Sequence, residues 1–380
     1  MHGEPAIYRR LGVRRVIHAS GTTTRYGGSV LRPEVFDTMR EASQTLVNID
    51  ELNEAAGAAI AKMVGAEAAF VTAGASSGLI LQSAACIAGD DPAKITRLPD
   101  TRGMKNEIVI QRAHRFAYDQ AYRIPGGVLV EIGLARRTQA FELEDAITER
   151  TAAVAYLISP FTSPPGVLPL DQVIAIAHKR GVPVIVDAAS MLPPRANLTK
   201  FIRMGADLVS FSGGKGIRGP QSTGMLLGRR DLIRAVTLNA SPNQAIGRAA
   251  KTSKEEIAGL VVALELFLKE DEAAEMKRYI EVCQVIVDSL GEIPGLRMVV
   301  EHDPVNRVIP HACIYFTPEW NGPSGRAVQL ALAAGDPHIY VQQGPHQGGY
   351  FDEIAIDPIN LQPGDEKIVA TRLREELLKR

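Results

Sequence analysis

The residues that could do chemistry together are a lysine and an aspartate, each at the end of an apolar, β-branched run. Lys215 lies in the sequence SGGKGIRGPQ at 212–221, and Asp187 ends the run VIVD at 184–187. Glycines beside a lysine allow positive φ and let a flat ligand approach the backbone. An acid and a lysine at strand ends suit a lysine Schiff base to pyridoxal phosphate, in which the aspartate keeps the pyridine nitrogen protonated. The alternative is a surface lysine in a glycine-rich turn.

A second motif could hold the anionic end of such a cofactor. The sequence GASSG at 74–78 stands between the apolar run 68–72 and the apolar stretch 79–88, an order that predicts a strand, a turn and a helix. The N-terminus of a helix offers backbone N–H groups to an anion, so this turn is the expected seat of the cofactor phosphate. Lys215 is followed by Gly216 instead of Ser or Thr, which disfavours a nucleotide-binding P-loop.

These motifs carry a resemblance to a known family. In the order GASSG, DAAS at 187–190 and SGGK at 212–215, the chain resembles pyridoxal phosphate enzymes of the aspartate-aminotransferase-like fold. The loop FSGGKGIRGPQSTG at 211–224 is similar to that of bacterial selenocysteine synthase and of its lyase relatives, typified by D-glucosaminate-6-phosphate ammonia-lyase. The resemblance implies pyridoxal 5'-phosphate as the cofactor, with Ala75, Ser76 and Ser77 at its phosphate.

Further cofactor contacts are expected on the loops that follow other strands. In the resembling fold an aromatic ring leaves the loop after the strand at 107–111 to cover the cofactor. His114 is the residue that we predict, with Phe116 or Tyr118 as alternatives and a structural histidine as the other interpretation. Ser163 opens the turn SPPG at 163–166, where many members of the fold have an asparagine, and its contact with the ring is open. Ser212, at the end of the strand before Lys215, is a further candidate.

The order of predicted elements indicates an α/β protein. Strands and helices alternate from 68 to 228, as in a mostly parallel sheet with helices on both faces. We expect a mostly parallel, seven-stranded-type sheet in a large pyridoxal-phosphate-binding domain, followed by a smaller C-terminal α+β domain. The predicted divisions are an N-terminal arm and helix at 1–50, the large domain at 51–245 and the small domain at 246–380.

Composition narrows the function classes. The chain has 380 residues, 46% of them hydrophobic and 22% charged, with a net charge of −1. A globular enzyme fits these values, whereas a nucleic-acid or membrane surface needs a strong basic excess. The three cysteines lack metal-like or C-x-x-C spacing, so we expect reduced thiols and no metal. The N-terminus has no apolar signal-peptide run, and we expect a cytoplasmic protein.

Several cations are candidates for binding a small, anionic amino-acid substrate. Arg25, Arg218 and Arg248 are the predicted substrate-binding residues, and Arg195 and Lys251 also fall on predicted loops or helix starts. These are more cations than one carboxylate requires, so a second anion such as a sugar phosphate is expected. The alternative is that several of them pair with surface carboxylates.

The parts predict an elimination reaction. Lys215 would move the Cα proton of a hydroxylated amino acid such as D-glucosaminate-6-phosphate, and loss of the β-hydroxyl would yield a 2-keto-3-deoxy acid and ammonia. Transamination and β-replacement are neighbouring reactions that the sequence leaves open. Selenium transfer to seryl-tRNA is a rival that the net charge disfavours, and a non-catalytic relative would be expected to lack Lys215 or Asp187. The resemblance also implies a homodimer or a multiple of one, with the arm at 16–31 ordered against another segment.

Overall fold

A computed structural model of the chain describes residues 5–159, 166–303, 307–344 and 352–379. Elements are numbered in chain order within these ranges. The strands are β1 (Val16–Ala19), β2 (Ala68–Thr72), β3 (Glu107–Gln111), β4 (Val128–Ile132), β5 (Thr151–Leu157), β6 (Val184–Asp187), β7 (Leu208–Ser212), β8 (Gly224–Gly228), β9 (Leu296–Asp303), β10 (Arg307–Phe316), β11 (His338–Gln343) and β12 (Asp352–Ile356). The helices are α1 (Ala6–Leu11), α2 (Pro33–Ala42), α3 (Ile49–Val64), α4 (Gly74–Ala88), α5 (Pro92–Arg97), α6 (Gln120–Arg123), α7 (Ala140–Ala146), α8 (Leu170–Lys179), α9 (Asn197–Arg203), α10 (Arg230–Asn239), α11 (Lys254–Lys269), α12 (Glu272–Leu290), α13 (Gly325–Ala334) and α14 (Asp365–Leu377).

Tertiary contacts divide the chain into two compact units. The large unit is Leu31–Lys269, and the small unit combines Met1–Val30 with Glu270–Arg380. This division differs from the predicted divisions after 50 and after 245 for two reasons. Helix α11 packs on α2 and α3 and so belongs with the large unit. The N-terminal arm pairs its strand β1 with β11, which places it in the small unit.

The large unit is built on a seven-stranded sheet in the order β2, β8, β7, β6, β5, β3, β4. All neighbouring strands are parallel except those of β8, which runs antiparallel to β2 and β7. Apolar clusters cover both faces, with α3, α8 and α11 contributing to one and α4 and α10 to the other. The prediction of a mostly parallel sheet in an α/β unit is confirmed.

This topology brings several loops to one edge of the sheet. Strands β2, β3, β5, β6 and β7 point the same way, so the segments after their carboxyl ends leave from the same side. Gly224, the first residue of β8, pairs there with Ser212 and with Thr72. The edge therefore collects the segments that begin at Gly74, Arg112, Ala188 and Gly213.

A buried carboxylate at the opposite edge fixes β6 beside β7. Asp207 accepts a hydrogen bond from the backbone N–H of Val184 at 2.7 Å, from His178 Nε2 at 2.8 Å and from the Arg229 guanidinium at 2.9 Å. A buried carboxylate with several donors holds its neighbours tightly because losing any of them leaves a desolvated group unpaired. Strand β6, which ends in Asp187, and strand β7, which leads to the loop of Lys215, thus start from a common anchor.

The small unit is a five-stranded sheet in the order β1, β11, β12, β10, β9, in which β1 and β11 are parallel and the other neighbours are antiparallel. Its core is made with α12, α13 and α14. The arm that precedes it is fastened by Asn360, whose Nδ2 donates to the carbonyls of Gly21 at 2.6 Å and Gly28 at 2.7 Å. The predicted small α+β unit is confirmed in its C-terminal part.

The apolar stretch near the start of the large unit forms α4, which has 15 residues. Within the described ranges, no helix is both long enough and apolar enough to cross a membrane.

Candidate active site

Lys215 is held on a tight loop between β7 and β8. Its carbonyl accepts a hydrogen bond from the N–H of Arg218 at 2.9 Å, which closes a turn around it. A Cβ at Gly214 would lie 2.4 Å from Cα of Gln221, and one at Gly216 would lie 2.2 Å from the carbonyl oxygen of Leu192. Only glycine permits these two approaches, so the glycines on both sides of Lys215 press the loop against its surroundings.

Asp187 is a buried carboxylate at the end of β6, with 8% of its surface exposed. Burial raises its pKa, while the hydrogen bond from the N–H of Ala189 at 3.0 Å and the charge of Lys215 oppose that rise. In the same way, burial lowers the pKa of the Lys215 amine and the charge of Asp187 opposes the decrease. The two groups that the sequence singled out thus lie within electrostatic reach of each other.

Ser190 is a residue of this site that sequence reasoning missed. Nζ of Lys215 donates a hydrogen bond to Oγ of Ser190 at 3.2 Å. Ser190 stands three positions after Asp187 in the turn that follows β6. The signal in the sequence was the hydroxyl in the DAAS motif itself, because the turns after two parallel neighbouring strands open to the same edge.

Ala75, Ser76 and Ser77, the residues predicted to bind the phosphate, lie in the first turn of α4. Helix α4 begins at Gly74, and the residue before it provides no side-chain cap, so its first N–H groups have no partner within the helix. Ser76 is exposed and Ser77 is buried, and Oγ of Ser77 has no hydrogen-bond partner among the described residues. Oγ of Ser210 on β7 donates to the carbonyl of Ala75 at 3.2 Å, which ties this turn to the strand that leads to Lys215.

His114 follows β3 in a short 3₁₀ turn and is 1% exposed. Its ring meets Tyr156 edge to face at 4.4 Å between centroids, and neither ring nitrogen has a partner in the described part of the chain. Burial lowers the pKa of His114 to about 4, so the imidazole is neutral at neutral pH. Phe116 and Tyr118 are 49% and 52% exposed, with their rings 5.4 Å apart.

Arg218 has an unusual backbone. Its φ is 57°, the left-handed region, and among the described residues it is the non-glycine residue with positive φ. Such a conformation costs about 1 kcal/mol or more in a non-glycine residue and points to a functional reason for the side chain. The Arg218 side chain is half-buried, and the residue follows Lys215 on the same loop.

The other predicted residues are placed as follows. Ser212 is the half-buried last residue of β7, and Arg248 is exposed ahead of α11, as is Lys251. Arg195 donates to the carbonyl of Leu268 near the end of α11, a structural use of its guanidinium. Arg25 is exposed in the small unit, on the short 3₁₀ turn Thr24–Tyr26. Ser163 lies outside the described residues.

Within the described ranges, no group of three or more His, Cys, Asp or Glu side chains is placed so that it could hold a metal ion.

Three enzymes are similar to this chain over most of its length. D-glucosaminate-6-phosphate ammonia lyase of Salmonella typhimurium is 32% identical over 98% of either chain. 5'-C-glycyluridine monooxygenase-decarboxylase of a Streptomyces species is 34% identical over 98% of this chain and 92% of that protein. L-seryl-tRNA(Sec) selenium transferase of Solidesulfovibrio magneticus is 25% identical over 95% of this chain and 82% of that protein.

Two solved structures have the same fold as this chain. A structure of D-glucosaminate-6-phosphate ammonia-lyase superposes with a TM-score of 0.85 at 32% identity, covering 99% of either chain. Serine palmitoyltransferase of Sphingomonas wittichii superposes with a TM-score of 0.62 at 12% identity over 95% of this chain and 86% of that chain, a likeness of fold alone. The fold is therefore that of pyridoxal phosphate enzymes, as the sequence motifs predicted. The family model for L-seryl-tRNA selenium transferase (SelA) matches residues 16–293, and the chain belongs to this family.

Proposed function

We propose that the protein is a pyridoxal-phosphate-dependent lyase that acts on a hydroxylated amino acid. It removes the β-hydroxyl and the amino group to give a 2-keto-3-deoxy acid and ammonia. The observation that carries the proposal is the pair of the half-buried Lys215 and the buried Asp187 at one edge of a mostly parallel sheet. The ammonia lyase at 32% identity over nearly the whole chain supports the reaction class.

The residues at this edge fit pyridoxal phosphate. Oγ of Ser77 is a buried hydroxyl without a partner in the described residues, at a helix N-terminus that suits a phosphate. His114 offers a buried, neutral ring with two unpartnered nitrogens. Asp187 is a carboxylate whose burial leaves it in need of a proton or a cation. A phosphate at this helix N-terminus and a protonated ring nitrogen beside Asp187 answer the first and the third of these features.

Each residue then has a role toward the cofactor. Ala75, Ser76 and Ser77 bind the phosphate through the first turn of α4, and Asp187 holds a proton on the ring nitrogen. We assign His114 to the ring face because it follows β3 at the sheet edge where Asp187 and Lys215 lie, with Phe116 and Tyr118, 49% and 52% exposed, as the alternatives. Ser212 is a further contact from the end of β7, and the role predicted for Ser163 stays a prediction.

Lys215 performs the proton transfers. Bound pyridoxal phosphate supplies an aldehyde for the Lys215 amine and a ring that takes up electron density from the substrate's Cα. The free Lys215 amine would be the base, because its lowered pKa leaves more of it unprotonated at neutral pH. It takes the Cα proton and can return a proton to the departing hydroxyl. One water leaves in the elimination and one is consumed on hydrolysis, so the net products are the keto acid and ammonia.

The substrate is proposed to carry a second anionic group, as D-glucosaminate-6-phosphate does. Arg218 on the Lys215 loop and Arg248 ahead of α11 are the cations of the large unit that we assign to it, with Lys251 close to Arg248 in the sequence. The left-handed backbone of Arg218 supports this assignment, because a glycine would adopt that φ without cost. The role predicted for Arg25 in the arm stays a prediction.

An ammonia-release screen tests the function. We expect phosphorylated hydroxy-amino acids of the sugar type to release ammonia and a keto acid in equal amounts, faster than serine does. The screen compares phosphorylated and unphosphorylated hydroxy-amino acids of both configurations with the cofactor-loaded protein. Inert sugar phosphates beside readily consumed serine would contradict the proposed substrate while leaving the cofactor chemistry intact.

The variant Arg218→Gly tests whether Arg218 binds the second anionic group of the substrate. Loss of a charged hydrogen bond should raise KM for phosphorylated substrates by about 10-fold or more and leave unphosphorylated ones unchanged. The fold should be no less stable, because relief of the left-handed strain offsets the greater freedom of glycine in the unfolded chain. Arg195→Ala is the matched control, since its guanidinium serves α11, and it should keep the substrate preference.

A second candidate function rests on the other relative. The 34% identity to 5'-C-glycyluridine monooxygenase-decarboxylase over 98% of this chain favours oxidative decarboxylation of a nucleoside-linked amino acid. Oxygen uptake and carbon dioxide release without ammonia, when 5'-C-glycyluridine is added to the screen as a further substrate, would select it. Selenium transfer is the function named for the family model, but the selenium transferases matched are 25–30% identical and the net charge of −1 offers no excess of cations for tRNA.

We also propose that the protein is a homodimer or a multiple of one. Large apolar side chains stand exposed on α2 and in the segment that follows it in the large unit, including Phe36, Val47 and Leu46, which is 92% exposed. Burial against a second copy would remove this surface from water. Sedimentation velocity should give at least twice the chain mass of 41.0 kDa, and an active monomer would contradict the proposal.

A further inference from the structure

A side-chain contact at the candidate site joins the loop of Lys215 to the turn after β6. Nζ of Lys215 donates to Oγ of Ser190 at 3.2 Å, across the gap between the loop after β7 and the turn after β6. The contact joins the lysine to the strand that ends in Asp187. Its meaning depends on the proposed function, in which Lys215 is the reacting amine.

The hydroxyl is mounted on a turn that is itself fixed. The N–H of Ala189 donates to Oδ1 of Asp187 at 3.0 Å, and the N–H of Met191 donates to the carbonyl of Ala188 at 3.0 Å. Nδ2 of Asn197 then donates to the carbonyl of Met191 at 2.7 Å. Residues on both sides of Ser190 are therefore restrained, and the position of its Cβ is set by the backbone.

The loop that carries Lys215 is pressed against the same turn. The space that a Cβ at Gly216 would need is filled by the carbonyl of Leu192, two residues after Ser190. The backbones on both sides of the contact thus have a fixed separation. What remains variable is the lysine side chain, which has four rotatable bonds and a mobile ammonium group.

We infer that Ser190 is a positioning residue that aims Nζ of Lys215 at the reacting carbon atoms. A serine hydroxyl suits both states of the amine, because it accepts a hydrogen bond from an ammonium and donates one to a neutral amine. The amine therefore stays directed in either protonation state. With alanine at this position, no hydroxyl restrains the Lys215 side chain. Nζ then occupies several rotamers, and only some of them place it for reaction.

The test follows the chemistry of Lys215 itself and needs no substrate. Condensation of its amine with the aldehyde of pyridoxal phosphate forms one C=N bond and releases one water, and borohydride reduces that bond to a stable secondary amine. Cofactor-free protein is mixed with pyridoxal phosphate, quenched with borohydride at set times and analysed by mass spectrometry for modified Lys215. The proteins compared are the parent, Ser190→Ala and Ser190→Thr.

Loss of one hydrogen bond should slow the condensation of Ser190→Ala by about 3- to 10-fold. Ser190→Thr, which keeps the hydroxyl, should stay within about 2-fold of the parent on the same reasoning. In turnover, Ser190→Ala should lower kcat by a similar factor and leave KM unchanged. Since Ser190 is exposed, both variants should keep the parent's Tm, and Ser190→Gly is a second deletion of the hydroxyl if the alanine variant does not fold.

The outcomes separate the two proposals. Equal rates for the parent and Ser190→Ala, or equally slow rates for Ser190→Ala and Ser190→Thr, overturn the role of the hydroxyl. A parent protein that shows no modified Lys215 overturns the proposed function instead.

Discussion

Lys215→Ala should abolish the covalent adduct with pyridoxal phosphate and lower turnover by at least about 1,000-fold, the scale of a lost proton-transfer group. The protein should remain folded, because the glycines that shape the loop are unchanged and the side chain leaves only a small, partly accessible space. Absorbance near the edge of the visible range and mass spectrometry after borohydride reduction measure the adduct.

Lys179→Ala is the matched control for this variant. Lys179 is exposed in the last turn of α8 and should form no specific adduct. Full activity in Lys215→Ala, or an adduct that survives the substitution, would show that another amine carries the chemistry. The mechanism proposed here would then lose its base.

The sequence could single out Lys215 and Asp187 as a pair because their signals are local. An apolar run that ends in an acid or in a glycine-flanked lysine is visible without tertiary information, and a parallel sheet brings such ends to one edge. Lys215 and Asp187 interact electrostatically as this rule requires. The start of α4 was predicted for the same reason, since a strand, a Gly/Ser turn and an apolar helix succeed one another within 68–88.

Features that depend on distant partners were not predictable in this way. The amphipathic pattern of α11 marks a helix but does not say which unit it packs on, and contacts with α2 and α3 place it in the large one. Arg195 looked like other loop arginines until its contact with the Leu268 carbonyl, 73 positions away, was known. Ser190 is an ordinary turn serine in sequence, and its role depends on where the next loop puts Lys215.

Asp187→Asn should lower turnover, and at neutral to basic pH it should raise the thermal stability of the cofactor-free protein. The amide has the shape of the carboxylate and can still accept the hydrogen bond from the N–H of Ala189, but it cannot hold a proton on the ring nitrogen. Loss of such a preorganised charge lowers turnover by about 100- to 1,000-fold. Affinity for pyridoxal phosphate should fall as well, which a titration of the adduct absorbance measures.

The stability change has a definite dependence on pH. Burial raises the pKa of Asp187 above its value in the unfolded chain, so its contribution to stability is present below the unfolded pKa and is lost as the pH rises through the folded pKa. Above that point the parent carries the cost of a buried charge, which Asn does not. The Tm of cofactor-free Asp187→Asn should therefore equal that of the parent near pH 4 and exceed it near pH 8.

The charge-matched control for this pair of measurements is Asp145→Asn, at an exposed position on α7, which should change neither turnover nor Tm at either pH. A cofactor-free Asp187→Asn that is less stable than the parent at pH 8 would mean that the carboxylate and Lys215 stabilise each other by more than burial costs them. Lys215 and Asp187 would then form an ion pair that stabilises the fold. The idea that this site gives up stability in order to bind a protonated ring would be wrong.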